Sequence, residues 1–121
     1  MRWEEMGPSR VAGRVVIARQ HLQPYGIVHG GVWASIAETA ASIGAHLSAT
    51  SRDASAGAVG LENHTTFLRA VGEGAEVEFE AKPLFAGRRA QAWEVVMRDA
   101  ASGKEVARAQ VRLMVVKAGE F

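Results

Sequence analysis

The chain of 121 residues contains no cysteine, and it has only three prolines and 7% aromatic residues. The lack of cysteine excludes disulfides and thiol chemistry. An excess of charge of one sign is also lacking, because 14 Lys and Arg residues nearly balance 13 Asp and Glu residues, for a net charge of +1. This balance gives no general reason to expect nucleic acid or a membrane surface as a partner.

Long uninterrupted apolar runs are missing as well. The first five residues include two glutamates and no apolar run, so we do not expect a signal peptide there. The most apolar stretch, residues 27–47, is broken by two histidines and a glutamate, which argues against a membrane span. There is no internal repeat, linker or low-complexity tract. We therefore expect a cytoplasmic protein with a single domain over residues 1–121.

Residues 32–50 are mostly apolar and contain no proline, and this composition predicts a long helix. Apolar residues lie on every side of it, which is typical of a buried helix. Glu38 is the one carboxylate within these residues, and Ser42 follows it by one turn on the same face. Because an unpaired buried charge is unfavourable by several kcal/mol, we expect Glu38 to be either a hydrogen-bonded structural carboxylate or a chemical group.

Gly30 and Gly31 stand directly before this predicted helix, and Gln23 and His29 lie on the turn that leads to them. The N–H groups at a helix start form a site for negative charge. A developing oxyanion would be stabilised there, as in acyl-transfer sites. Together with Glu38, these residues are sufficient for attack on an acyl carbonyl. For Gln23 and His29, stabilisation of the turn is the structural alternative.

The spacing between Gly31 and Glu38 limits how these groups act together. Seven residues of helix correspond to about 10 Å along the axis, whereas a glutamate side chain spans less than half of that distance. One carbonyl therefore cannot contact both within one chain, and Glu38 would come from a second copy packed antiparallel. We expect a dimer with two shared sites. Small helix residues permit this close approach: Ala34, Ala37, Ala41 and Ala45.

Alternation of apolar and polar residues predicts five strands, at residues 10–18, 58–69, 75–82, 88–98 and 105–116. Short turns between the last four suit antiparallel neighbours. In the second strand we expect one face to carry Val59, Leu61, Asn63, Thr65 and Phe67. Trp93 is expected in the core. The pattern predicts an α+β fold in which an antiparallel sheet wraps around one long helix.

Three segments, QPYGIVHGG at residues 23–31, AETA at 37–40 and VGLEN at 59–63, resemble the hotdog-fold acyl-CoA thioesterases. The resemblance extends over residues 13–116 and is to the phenylacetate-pathway (PaaI-like) and hydroxybenzoyl-CoA or dihydroxynaphthoyl-CoA type. His-Gly-Gly with a glutamate nine residues after the histidine is a specific motif. The resemblance implies a hotdog fold and hydrolysis of the thioester of an aromatic or medium-chain acyl-CoA.

The resemblance also implies a role for each matching residue. Glu38 would be the catalytic carboxylate, as nucleophile or as general base, and the amide of Gly30 would polarise the thioester carbonyl. His29 would lie beside that carbonyl, Gln23 would help to hold the carbonyl or the water, and Ser42 would orient the water or Glu38. No separate cofactor is implied, since coenzyme A is part of the substrate. The family shares its sites between two subunits, and its dimers usually pair into homotetramers.

Coenzyme A carries phosphates, so cations are expected near the mouth of its channel. Candidate contacts lie at a predicted hairpin tip and at the end of the second strand: Gly87, Arg88, Arg89 and Arg69. Paired arginines at a turn are otherwise solvated surface. Gly31 is a further candidate substrate contact. Asn63 is another, and a satisfied core amide is its structural alternative.

Other functions are less well supported by the residues. A hotdog hydratase or dehydratase uses a histidine with an acid, and the proline-rich histidine motif of those enzymes is missing. A non-catalytic acyl-CoA-binding or regulatory module stays open, although no DNA-binding segment is evident. The absence of G-x-S-x-G gives no support to an α/β-hydrolase. His46 and His64 lack a third donor at ligand spacing, so no metal site is expected.

Overall fold

The computed structural model describes residues 1–117 and 119–120, so that Ala118 and Phe121 of the expected 1–121 domain lie outside the described residues. The chain forms six strands, one helix and a 3-10 turn at Arg19–His21. In order, they are β1 (Arg2–Met6), β2 (Val11–Val16), α1 (Gly30–Arg52), β3 (Ala56–Phe67), β4 (Glu76–Ala86), β5 (Ala90–Asp99) and β6 (Glu105–Lys117). One antiparallel sheet has the order β1-β2-β4-β5-β6-β3. The predicted α+β architecture is confirmed.

Strand β1 was not predicted from the sequence. It is five residues long and mostly exposed, and it pairs antiparallel with β2 so that Trp3 lies opposite Gly13. The ring of Trp3 meets that of Phe79 edge-on, with 5.4 Å between the centroids. A Cβ at Gly13 would lie only 2.5 Å from Cζ of Phe79. This short strand is therefore held by a contact between distant residues, which no local pattern reveals.

The core lies between α1 and the inner face of the sheet. The helix contributes its buried small and apolar residues: Trp33, Ile36, Ala37, Ala40, Ala41, Gly44 and Ala45. Trp93 of β5 is fully buried, which confirms its predicted place in the core. Its indole Nε1 donates a hydrogen bond of 2.7 Å to Oε1 of Gln91. The indole ring lies against the backbone of Gly44, where a Cβ would be only 2.9 Å from Cζ2 of the ring.

Helix α1 begins two residues earlier and ends two residues later than the sequence predicts. The sequence predicts a buried helix with the sheet on one side and a second subunit on the other, and in the single chain the strip that the sheet does not cover is exposed. This strip consists of small or polar residues: Gly31, Ser35, Thr39 and His46. The sheet covers only the opposite side. No helix in the described part of the chain is long and apolar enough to cross a membrane.

A β-bulge at Leu61 changes the faces of β3. Gly60 pairs with Leu113 and Glu62 pairs with Arg112, so that Leu61 has no partner on β6. Because side chains alternate along a strand, the bulge reverses which residues face the helix. Gly60 faces α1 on one side of it, and Asn63, Thr65 and Phe67 do so on the other. The prediction that Val59 and Leu61 share that face is wrong for this reason.

Candidate active site

The start of helix α1 is capped by His29. Its Nδ1 accepts a hydrogen bond of 2.8 Å from the N–H of Gly31. A neutral imidazole that accepts through Nδ1 carries its proton on Nε2. The N–H of Gly31 is thus engaged within the chain, whereas that of Gly30 donates to no acceptor among the described residues. Of the two predicted amides, Gly30 is the one that remains available to a ligand.

Gly30 is also covered closely by an aromatic ring. Phe67, the last residue of β3, places its ring against the Gly30 backbone, where a Cβ would lie 2.5 Å from Cζ. An open cleft of about 640 Å³ adjoins this contact. Its lining includes several predicted site residues together with apolar ones: Gln23, Tyr25, Ile27, His29, Gly30, Trp33, Phe67, Leu68 and Arg69. The structure therefore brings Gln23, His29, Gly30 and Arg69 to one place.

Gln23 has a structural contact in this cleft. Its Oε1 accepts a hydrogen bond from the N–H of Tyr25. The same turn is closed by the N–H of Gly26, which donates to the carbonyl of Gln23 at 3.0 Å. Gly26 has a φ of 83°, a left-handed conformation that favours glycine. The side chain of Gln23 thus stabilises the turn and lines the cleft at the same time.

The carboxylate of Glu38 is half-buried between α1 and β3. Its Oε1 accepts a hydrogen bond of 3.2 Å from Nδ2 of Asn63. The same Nδ2 donates at 2.9 Å to the carbonyl of Ala34. Oε2 lies against Gly60, where a Cβ would come closer than 3.0 Å to it. Asn63 therefore contacts Glu38 and does not line the cleft beside Gly30. Among the described residues, the side chain that hydrogen-bonds the carboxylate is Asn63.

The two halves of the predicted chemistry are apart within one chain. Gly30 and Glu38 are separated by eight residues of helix, or about 12 Å along the axis. They also contact different parts of β3, since Gly30 lies on Phe67, the last residue of the strand, and Glu38 lies on Gly60, its fifth residue. One carbonyl cannot reach the amide and the carboxylate of the same chain.

A second cleft, of about 1070 Å³, lies at the other end of α1. Gly87, Arg88 and Arg89 line it, at the turn between β4 and β5. Two further cations that the sequence reasoning missed line it too, namely Arg52 at the end of the helix and Lys117 at the end of β6. Only the C-terminal position of Arg52 on the helix could have drawn attention to it. Asp53 and Glu120 also contribute to the lining.

The predicted cations therefore fall into two groups. Arg69 lies in the cleft beside Gly30, where its Nη1 donates to the carbonyl of Glu105 at 3.0 Å. Arg88 and Arg89 lie near the opposite end of a helix of 23 residues, which is about 33 Å long. Within the described residues, no three His, Asp or Glu side chains are grouped as a metal site.

Comparison with known proteins places these observations in a family context. Residues 25–106 match the model of the thioesterase superfamily. A Mycobacterium tuberculosis protein named as an esterase, Rv1847, is 36% identical over 118 residues, which cover 98% of this chain and 83% of the relative. Its solved structure superposes with a TM-score of 0.88 and covers 97% of this chain and 91% of that chain, at 35% identity.

Two further proteins are similar to this chain. The proofreading thioesterase EntH of Cronobacter sakazakii is 42% identical over 84 residues, which cover 69% of this chain and 58% of EntH. The solved structure of thioesterase HI1161 from Haemophilus influenzae superposes with a TM-score of 0.86 at 27% identity, covering 98% of this chain and 79% of that chain. The comparison of sequences and the comparison of structures thus both find proteins named as esterases or thioesterases.

Proposed function

Because the chain belongs to the thioesterase superfamily and is a thioester hydrolase, we propose that it hydrolyses an acyl-CoA with Glu38 as its catalytic carboxylate. The observation that carries this proposal is the placement of Glu38. Its carboxylate is held by Asn63 over Gly60 and has no cationic partner among the described residues. A carboxylate fixed in this way is available for chemistry on a bound substrate.

The Gly30 amide supplies the second part of the proposed mechanism. The thioester carbonyl oxygen accepts a hydrogen bond from the N–H of Gly30, and the helix start stabilises the negative charge that develops on that oxygen. Glu38 either attacks the thioester carbon or removes a proton from an attacking water. Hydrolysis adds water across the C–S bond and releases a carboxylic acid and the thiol of coenzyme A. Because a thiolate leaves readily, no strong acid is required, and the reaction uses no cofactor besides the coenzyme A of the substrate.

His29, Gln23 and Ser42 have supporting roles in this proposal. With Nδ1 engaged by Gly31, His29 has its Nε2–H as the donor toward a carbonyl at Gly30. Gln23 lines the same cleft and helps to hold the carbonyl or the water. Ser42 lies one helical turn after Glu38 and orients the water.

The proposed site is shared by two copies, since Gly30 and Glu38 of one chain are about 12 Å apart along the helix. Strand β3 is the long edge of the sheet, with 12 residues against the five of β1 at the other edge. An unpaired edge strand is a template for another strand. Antiparallel pairing of β3 with its copy joins two six-stranded sheets and relates the copies by a two-fold axis.

The register of this pairing follows from the contacts of β3. Gly30 lies on Phe67 and Glu38 lies on Gly60, so a shared site needs Phe67 of one copy beside Gly60 of the other. In a two-fold antiparallel pair, facing residues lie on the same face of the sheet, and Leu61 counts as the extra residue of the bulge. Facing of residues 67 and 60 then pairs Thr65 with Asn63 and places the axis at His64, which faces its own copy. Each dimer then has two equivalent sites, and the dimers pair further into a homotetramer.

The substrate class is proposed from the linings of the two clefts. Tyr25, Trp33 and Phe67 give the cleft beside Gly30 an aromatic lining, which suits an aromatic or medium-chain acyl group. Arg88 and Arg89, with Arg52 and Lys117, form a cationic cleft suited to the phosphates of coenzyme A. In the antiparallel dimer with Gly30 of one copy beside Glu38 of the other, Arg52 of the second copy lies 14 residues, or about 21 Å, beyond that Glu38 along the helix. We place the reaction in the cytoplasm.

The first test is thiol release from a panel of aromatic, short-chain and long-chain acyl-CoAs. We expect wild-type turnover to fall about 10²-fold or more in Glu38→Gln, the scale of a positioned base or nucleophile. Glu62→Gln is the matched control, because Glu62 is exposed and lies on the outer face of β3 beside Arg112. Full turnover by Glu38→Gln would overturn the role of Glu38. Tight binding without turnover by the wild type would indicate an acyl-CoA-binding module.

The shared site is tested by cross-linking, which is simple in a chain without cysteine. His64→Cys places a thiol beside the proposed axis, within the short Cα separation that a disulfide requires. Under mild oxidation we expect a reducible covalent dimer that keeps its activity. Val16→Cys is the control, since Val16 is exposed on β2 at the other side of the sheet. A fully active monomer, or equal cross-linking of both variants, would contradict the shared site.

A further inference from the structure

A chain of hydrogen bonds runs along the inner face of β3 and ends on Glu38. Oγ1 of Thr65 donates to Oδ1 of Asn63 at 2.6 Å. Nδ2 of Asn63 then donates to the carbonyl of Ala34 at 2.9 Å and to Oε1 of Glu38 at 3.2 Å. Thr65, Asn63 and Glu38 are all half-buried between the helix and the sheet. Asn63 is thus a link between a strand hydroxyl and the carboxylate.

These partners allow only one orientation of the Asn63 amide. An amide group has a donor end and an acceptor end. If the group were flipped, its oxygen would face the carbonyl oxygen of Ala34 and the carboxylate of Glu38. A carbonyl oxygen and an ionised carboxylate can only accept hydrogen bonds, so the amide oxygen would have no donor there. The hydroxyl of Thr65 favours the observed orientation because it donates to the oxygen end. Asn63 therefore presents an N–H to Oε1 of Glu38.

The bulge at Leu61 makes this arrangement possible. Gly60 and Asn63 are three residues apart, and in a regular strand they would point to opposite faces. Because Leu61 is the extra residue, both face α1, where Asn63 binds Oε1 and Gly60 gives room to Oε2. Bulges commonly re-aim side chains beside functional sites. Here the bulge places one contact on each oxygen of Glu38.

The surroundings of Glu38 contain no competing charge on the described elements packed against it. On β3, Glu62 and His64 lie on the outer face, where Glu62 pairs with Arg112 at 3.5 Å. On α1, the nearest titratable group is His46, two turns further on, whose ring lies against Gly57. The positions on β6 opposite Gly60 and Asn63 are apolar, namely Leu113 and Val111.

We propose that Asn63, oriented by Thr65, is a positioning residue that holds Glu38 in one conformation for thioester hydrolysis. This inference rests on the proposed function of Glu38. It differs from the expectation that Asn63 contacts the substrate, because Asn63 acts on the carboxylate instead. The two roles predict different kinetics. A substrate contact affects KM, whereas a positioning residue affects kcat.

The test is the pH profile of kcat and KM for a graded set of variants. Asn63→Asp replaces the donor with a second carboxylate, and two adjacent carboxylates resist joint ionisation. We expect its acid limb to shift toward higher pH, with kcat at pH 7 lowered by about tenfold or more. Asn63→Leu removes the donor without adding charge, so it should lower kcat without such a shift. Thr65→Val should lower kcat less, and Thr65→Ser should behave as the wild type.

Thr66→Val is the matched control, because Thr66 is exposed on the outer face of the same strand, opposite Arg108. It should leave kcat, KM and the pH profile unchanged. A raised KM with an unchanged kcat in the Asn63 variants would overturn the positioning role. Glu38→Gln is measured alongside them. If it retains turnover, the proposed function itself fails; if it is inactive while the Asn63 and Thr65 variants keep the wild-type profile, only the present inference fails.

Discussion

Gly60 lies directly against the carboxylate of Glu38, although the two residues belong to different elements. A Cβ at position 60 would come closer than 3.0 Å to Oε2 and within 3.3 Å of Cδ. The backbone of Gly60 does not adopt a positive φ, so glycine is required there for space and not for conformation. Any larger residue must displace the carboxylate from β3.

Gly60→Ala should therefore reduce activity more than stability. The added methyl group pushes Glu38 away from its position over β3, and misplacement of a reacting group by about 1 Å can lower the rate by about 10²-fold. We expect kcat to fall at least tenfold while urea unfolding changes little. Gly57→Ala is the control on the same strand, because its Cβ would meet only the exposed His46 ring, at 3.2 Å from Nδ1. Equal kcat in the two variants would contradict this prediction.

The cap that His29 provides is tested by stability. His29→Ala removes the acceptor of the Gly31 N–H and should lower the free energy of unfolding by about 1 kcal/mol. His29→Asn should unfold close to the wild type, since asparagine is a favourable N-cap residue. Urea unfolding of the two variants measures the difference. If His29→Asn were as unstable as His29→Ala, the ring would stabilise the protein by some contact other than the cap. Both variants should lose activity.

For Gly44→Ala, helix propensity and core packing predict opposite changes in stability. Helix propensity alone says that Gly44→Ala stabilises the protein by about 1 kcal/mol. The structure places the indole of Trp93 against Gly44, with Cζ2 only 2.9 Å from the position of a Cβ. Overpacking of a buried site is destabilising by about 1–3 kcal/mol. We expect the melting temperature to fall, and a higher melting temperature would show that the Trp93 ring has room to move.

The ion pair between Arg10 and Glu80 predicts a dependence of stability on pH. Partial burial opposes ionisation of Glu80, but the hydrogen bond and the charge of Arg10, 2.5 Å away, outweigh it, so the pKa of Glu80 is lowered in the folded state. A lowered pKa stabilises the folded protein above the unfolded value of about 4.3, and this contribution is lost as the pH falls.

Glu80→Gln should consequently lower stability modestly at pH 7 and have a diminishing effect below about pH 4. Urea unfolding of both proteins across this range measures the effect. Glu73→Gln is the control, because Glu73 is exposed in the turn before β4 and has no ion pair among the described residues. A destabilisation by Glu80→Gln that stays the same at all pH values would exclude the charge of Glu80 as its cause.

The sequence alone was enough for the main elements, and it singled out Gln23, His29 and Gly30, which the structure brings together at one cleft. Helix α1 follows from its apolar composition without proline, and strands β2, β4, β5 and β6 follow from their apolar patterns, which depend on which residues face the core. The spacing from His29 to Glu38 indicated the chemistry, and the distance from Gly31 to Glu38 indicated a second copy. These are local properties of the chain, and so they can be recognised in it without coordinates.

Tertiary structure alone decided which residues surround Glu38. The bulge at Leu61 reverses the faces of β3, and no pattern in residues 58–69 marks its position. It places Gly60 and Asn63 together on the carboxylate, and it leaves Leu61 exposed. Such contacts depend on the register between β3 and β6 and on the packing of α1 over both. Register is set by the sum of many long-range contacts, and so it is not contained in any single stretch of sequence.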